Sequence, residues 1–231
     1  AALVLGLAAF LLYRTLSQYA FADIIAAIRA VPLQNLAMAI GWAAASYLCL
    51  TGFDFLATRY IEHPLPYLQV ARNSFTSLSI GHNVGFAALS SGAIRYRFYS
   101  RAGLSVEEIA KIILFCGLTV GLGLIALAGI ALLARPALGA EITGLGENTV
   151  RLIGVACIVV LAIYLALAFF LRAEVRIWRW TFEMPSARLA GAQIVIGALN
   201  FACVAACLYA IVSAIADVSW FSVASVYVLA N

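Results

Sequence analysis

Three stretches, residues 112–134, 152–171 and 189–216, each run for 20 residues or more without a charged side chain. A helix crossing a hydrocarbon core of about 30 Å needs about 20 apolar residues, so each run is long enough to span. A fourth run, 30–53, carries Pro32 near its start, where a missing N–H does least harm. Inside lipid the backbone must satisfy its own hydrogen bonds, which leaves helices or a closed barrel. The runs are unbroken rather than alternating in polarity, and that pattern belongs to helices. Composition removes the soluble alternative: with 65% hydrophobic and 10% charged residues, too few polar side chains remain to cover a water-exposed surface. The expected fold class is all-α, a polytopic integral membrane helical bundle.

The ends are apolar too. Residues 1–13 read as the tail of one span and 218–231 as the start of another, with no initiator Met, so the chain is expected to be part of a longer polypeptide. Between the first two spans, Phe21, Ile24, Ile25 and Ile28 recur at helical spacing opposite Gln18, Asp23 and Arg29. Residues 17–31 therefore suit a helix lying in the interface, or a helical linker packed on the bundle.

Residues 65–94 break the pattern. They are apolar only in patches and carry Ser74, Ser77, Gly81, His82, Asn83, Gly85, Ser90, Ser91 and Gly92. Irregular or polar backbone is tolerated at membrane depth only where protein or a water-filled cavity supplies hydrogen bonds. The expectation is a broken or re-entrant helical hairpin, hinged near Gly81 to Gly85, with those nine residues lining a translocation path or hinge. A single crossing and a re-entry both place ten of the 14 basic residues on one side, so the excess of positive charge does not choose between them. Either way the segments 95–111 and 172–188 fall on the basic, cytoplasmic side, and polarity favours re-entry.

All the basic residues except Lys111 are arginine, the side chain whose planar fork matches phosphate. Arg95, Arg97 and Arg101 follow the polar segment directly, interleaved with Tyr96, Phe98 and Tyr99. On a helix Arg97 and Arg101 share a face and offer two forks to one phosphate, while tyrosines suit the headgroup layer. The alternative is an ordinary basic loop with interfacial aromatics. The expected headgroup-binding residues are Arg95, Arg97, Arg101, Tyr96 and Tyr99. Ser105 and Glu108 have the spacing of a capping box that starts the next helix at Val106.

Other polar residues have quieter readings. Asp54, near the end of its run, could pair with Arg59 or line a polar cavity. Gly117 and Gly121, like Gly81 and Gly85, have the spacing of close helix packing. Gln193 and Asn200 are placed for interhelical hydrogen bonds or for lining a cavity. Residues 172–188, with Trp178 and Trp180 among arginines, resemble an interfacial anchor. There is no phosphate-cradling loop, zinc spacing, nucleophile elbow or acid–base carboxylate pair, so no catalytic residue, metal or cofactor is expected in this chain.

The run Gly92, Arg95-Tyr96-Arg97, Tyr99 and Gly103-Leu104-Ser105 resembles the signature of the bacterial lysylphosphatidylglycerol synthetase/flippase family, the multiple peptide resistance factor type. Ser91-Gly92 departs from it where a double glycine is common. The resemblance implies an N-terminal flippase domain without its C-terminal cytosolic synthase. In that family the synthase transfers an aminoacyl group, usually lysyl, from aminoacyl-tRNA to phosphatidylglycerol, as a phosphatidylglycerol lysyltransferase. The flippase then carries the product to the outer leaflet of the bacterial cytoplasmic membrane, giving resistance to cationic antimicrobial peptides. The partners implied are anionic phospholipid, as phosphatidylglycerol and its aminoacyl form, and aminoacyl-tRNA through the missing synthase. A homodimer is a compatible assembly. Two other roles fit the same residues: a substrate-gathering anchor for the synthase, and a synthase-free glycolipid transporter.

Overall fold

The computed structural model describes residues 31–84, 87–170, 174–177 and 180–230, with side chains described except at 82–90 and 171–182. The expected interfacial segment 17–31 and the run 1–13 thus lie outside the described residues, Val31 excepted. Eight helices are described: α1 (Leu33–Tyr60), α2 (Tyr67–Val84), α3 (Ala87–Arg101), α4 (Val106–Ala134), α5 (Pro136–Thr143), α6 (Glu147–Phe170), α7 (Ala187–Val212) and α8 (Trp220–Ala230). Four of them, α1, α4, α6 and α7, are long and apolar enough to cross a membrane. A two-stranded antiparallel hairpin, β1 (Glu174–Ile177) and β2 (Trp180–Glu183), joins α6 to α7 where the sequence reading expected only an interfacial anchor.

The helices outrun the uncharged stretches, for identifiable reasons. α1 continues past residue 53 to Tyr60, giving 28 residues or about 42 Å of helix. α4 begins at Val106 because Ser105 and Glu108 form a full capping box, and its charged first turns are joined by Glu107 and Lys111 at 2.9 Å. Charge marks where a helix leaves the hydrocarbon, not where it ends. α5 is a short helix opened by Pro136 and closed by Gly144 at φ 72°, the left-handed geometry that glycine adopts without strain.

α1 and α7 pack antiparallel. Asn35 Nδ2 donates to the Ala210 carbonyl at 2.8 Å near one end, Ser46 Oγ donates to Asn200 Oδ1 at 2.8 Å in the middle, and Tyr60 OH donates to the Glu183 carbonyl at 2.6 Å at the other end. α7 also crosses α4 with Gly123 against Gly197: a Cβ on Gly197 would lie 2.6 Å from the Thr119 carbonyl oxygen. Gly117 and Gly121, expected to mark the close contact, have nothing within 4 Å of a built Cβ. The expectation fails because spacing names a face of α4 but not the helix it meets.

Burial is inverted relative to a soluble bundle. Leu152, Phe169 and Phe170 of α6 are more than two-thirds exposed, while Thr119 and Gln193 are fully buried. Gln193 Nε2 donates to Thr119 Oγ1 at 3.0 Å, and Tyr164 OH donates to Gln193 Oε1 at 2.6 Å. An apolar exterior around a satisfied polar interior is stable only in lipid. The chain is a multi-pass membrane protein.

Candidate functional site

α2, ending at Val84, and α3, beginning at Ala87, pack against each other as a hairpin. The two ends of the hairpin lie toward the same end of the bundle. Tyr67, which opens α2, meets α1 through a 2.9 Å bond between its hydroxyl and Thr51 Oγ1 and an edge-on contact with Phe55. α3 ends at Arg101, one short turn before α4, and the loop after α1 meets the start of α4 through His63 Nδ1 and Glu108 Oε1 at 3.2 Å. The turn between α3 and α4 is made by Gly103 at φ 91°, after which Leu104 is buried and Ser105 caps α4.

At the centre of this compartment is Asp54, fully buried on α1. Arg95 of α3 grips it with both edges of a fork, Nε to Oδ1 at 3.0 Å and Nη2 to Oδ2 at 2.9 Å. Ser74 of α2 donates to Oδ2 at 2.7 Å and Tyr99 of α3 donates to Oδ1 at 3.0 Å. The carboxylate is thus charge-paired and fully hydrogen-bonded, the condition under which a charge can stay buried. Arg59, one of the two alternatives the sequence offered for Asp54, instead sits over the Phe55 ring at 4.6 Å. With α1 extended to Tyr60, Asp54 lies inside the helix and points to a neighbouring face. Thr51, Asp54 and Thr58 are all buried, and their i, i+3, i+7 spacing on α1 is the sequence signal that marks this inward stripe.

Beside the pair lies a cavity of about 370 Å³, open on one side, whose lining includes Arg95, Ser91, Gly81, Cys116, Gly117 and Val120. Its remaining lining is aliphatic or aromatic: Leu50, Phe53, Leu78 and Ile113. Gly117, with no neighbour near a built Cβ, helps make the space. Asp54 takes the Nε–H and one Nη2–H of Arg95, and the same side chain forms part of the cavity wall. A mostly apolar cavity of this size with one placed cation is the usual form of a small-ligand site.

The expected headgroup residues divide between two environments. Arg95 and Tyr99 are buried on one face of α3, whereas Arg97, Arg101 and Tyr96 are exposed. Of the expected path residues, Gly81 and Ser91 line the cavity, Ser74 holds Asp54, and Gly92 packs toward Ile113. Ser77 is fully buried, and its hydroxyl is the one buried side-chain polar atom without a hydrogen-bond partner among the described residues. The side chains of His82, Asn83, Gly85 and Ser90 lie outside the described residues. Among the described residues there is no group of three or more histidine, cysteine or acidic side chains placed to hold a metal.

Two known proteins are similar to this chain in sequence. The chain is 30% identical over 217 residues to the uncharacterized protein slr0712 of Synechocystis, covering 94% of this chain and 67% of that one. It belongs to the same family as slr0712. It is also 29% identical over 195 residues to the inner membrane protein YbhN of Escherichia coli, covering 84% of this chain and 60% of that protein, so it spans about three fifths to two thirds of these relatives. No family model matches the chain. The matched portion is nearly all of this sequence.

Proposed function

We propose that this chain is the lipid-handling membrane domain of a transporter that moves a phospholipid with a phosphodiester headgroup, of the phosphatidylglycerol or aminoacyl-phosphatidylglycerol type, between leaflets of the bacterial cytoplasmic membrane. The observation that carries the reading is the Arg95 guanidinium, held by Asp54 on the wall of an otherwise largely apolar cavity between the hairpin, α1 and α4. A phospholipid presents a phosphate that matches the fork and an acyl region that matches the aliphatic lining. Arg97 and Arg101, exposed one turn apart at the end of α3, form the outer contact that draws anionic headgroups to the hairpin. They lie on the end of the bundle that also holds Arg59, Arg72, Lys111 and Arg188, opposite Arg135 and Arg151. That asymmetry supports a cytoplasmic position for the hairpin's ends.

The resemblance around Gly92 to Ser105 supports aminoacyl-phosphatidylglycerol as cargo. The lengths of the relatives favour a version without an attached synthase. If 217 residues make up 67% of slr0712, that protein has about 320 residues, too few for an extension of several hundred. The bifunctional synthetase/flippase is the second reading, favoured by the signature alone.

The test is transfer of fluorescent phosphatidylglycerol across vesicles containing the purified protein. R97Q/R101Q should fold normally, since both side chains are exposed, and slow transfer several-fold. Transfer at the wild-type rate would overturn the arginine assignment. No acceleration by the wild-type protein would favour a role as a lipid-gathering anchor.

A further inference from the structure

Glycine inside a long helix lowers its stability relative to alanine, so it is kept where another group stands close or where room is needed. On α4 the first reason holds for Gly123 against Gly197 and for Gly129 against Cys157 and Ile158. It does not hold for Gly117 and Gly121: a Cβ built on either meets nothing within 4 Å among the described residues. Their spacing places both on one side of α4, with Val120 beside them. Gly117 and Val120 also line the cavity at Arg95, and among its described lining residues they are the exposed ones. The cavity therefore opens beside α4. No residue from 112 to 134 is charged, so this part of α4 lies in hydrocarbon and the opening leads sideways into the bilayer.

The depth of the opening follows from the helices. Arg95 is six residues, about 9 Å of helix, in from Arg101 at the basic end of the bundle. Gly121 is ten residues, about 15 Å, beyond Lys111, the last charge on α4 before Arg135, which brings it near the middle of a hydrocarbon core of about 30 Å. The open face thus begins beside the buried guanidinium and leads toward the middle of the membrane, the direction an acyl chain takes from its phosphate. A free phosphate compound could use the cation but not that face. A phospholipid uses both.

We propose that the face of α4 carrying Gly117, Val120 and Gly121 is the acyl-chain subsite of the cavity: a phospholipid enters sideways from the bilayer, its phosphate at Arg95 and one acyl chain along these three residues. This rests on the lipid reading above and adds to it the pose of the lipid. The chain occupies the room that side chains at 117 and 121 would take. Phosphate and chain are recognised on one continuous wall, so the site selects a lipid over its water-soluble headgroup.

The test is photo-crosslinking of the whole chain in an uncharged, phosphate-free maltoside detergent. One probe is phosphatidylglycerol with a diazirine midway along one acyl chain; the other is a diacylglycerol with the same chain and no phosphate. Labelled residues are mapped by mass spectrometry, and Val159, Val160 and Ile163 on the exposed face of α6 serve as the reference for chains that merely surround the protein. The phosphatidylglycerol probe should label residues 117–121 several-fold more than the α6 face, and the diacylglycerol should show no such preference. G121L, which fills the open face, should bring the labelling back toward the α6 level; if that variant does not fold, the comparison of the two probes on the wild type decides alone. Equal labelling of α4 and α6 by both probes overturns the proposal, because the face is then ordinary lipid-facing surface. Labelling near zero at 117–121 overturns it too, because protein then covers the face. A preference for α4 that the diacylglycerol shares separates the chain from Arg95 and overturns the pose. So does displacement of the probe by glycerophosphoglycerol as readily as by unlabelled phosphatidylglycerol, since the chain then adds nothing. In each of these cases, transfer of phosphatidylglycerol accelerated by the wild-type protein in vesicles leaves the lipid reading standing, and its absence removes that reading as well.

Discussion

The two sides of α4 solve the problem of membrane burial in opposite ways. Where α4 crosses α7, Gly123 and Gly197 bring backbone onto backbone and leave no space for a side chain. Where α4 faces the α1–α2–α3 compartment, Gly117 has no neighbour near it and the gap persists as a cavity walled by an arginine. Both sides use the same residue type on the same helix, only six positions apart. Glycine thus closes one interface and opens the other. The difference lies in what stands opposite: a second glycine in one case, and in the other a cavity wall made by α1, α2 and α3, with a buried ion pair joining α3 to α1. A compartment whose buried charges are paired with each other can keep a cavity beside them, and that separates a candidate site from simple packing.

Several substitutions can break or sharpen this contrast. The largest effect is expected from D54A, which strands Arg95 in the interior without its counter-ion; loss of one partner of a buried pair costs about 3–5 kcal/mol. Thermal unfolding in detergent should show a major loss of folded protein, and near wild-type stability would mean the pair is solvated rather than buried. Next comes the pair of glycines. G197V forces a side chain against the backbone of α4 and should cost about 1–3 kcal/mol, whereas G117V enters open space and should stay within about 0.5 kcal/mol of the wild type. G117V should nonetheless weaken phosphatidylglycerol binding, because it fills the cavity. Equal destabilisation by the two would erase the distinction between the two faces of α4. The smallest effect is expected from Q193L, which removes the bridge among Tyr164, Gln193 and Thr119. Interhelical hydrogen bonds in membranes average about 0.6 kcal/mol, so a loss near 1 kcal/mol or less should be measured, with lipid transfer unchanged.

Much of the bundle was legible in the chain. Long uncharged runs mark the four helices suited to span, and the polarity of residues 65–94 marks the hairpin, because apolar length and buried polarity are local properties of sequence. The Ser105–Glu108 cap was legible for the same reason, being a contact over three residues. The candidate site was half legible. The signature from Gly92 to Ser105 drew attention to α3, which supplies Arg95 to the cavity wall, but much of it is framework: Arg95 and Tyr99 hold Asp54, Gly103 makes a turn, Leu104 is core and Ser105 caps α4. Only Arg97, Arg101 and Tyr96 face outward in the way a headgroup contact requires. Alternation along one helix sets which arginines share a face, but not which face turns inward.

Sequence alone therefore determined the solvent of this protein, its helices and the place where its polarity is concentrated, since each follows from the free energy of putting a given side chain into lipid. The partner of Asp54 was decided only by tertiary structure. Arg59 is five residues away in the chain and Arg95 is forty-one, yet the fold gives the carboxylate to the distant one, because a helix that runs on to Tyr60 turns Asp54 toward α3. The same holds for Gly117 and Gly123, whose roles separate only when the helix opposite each is known.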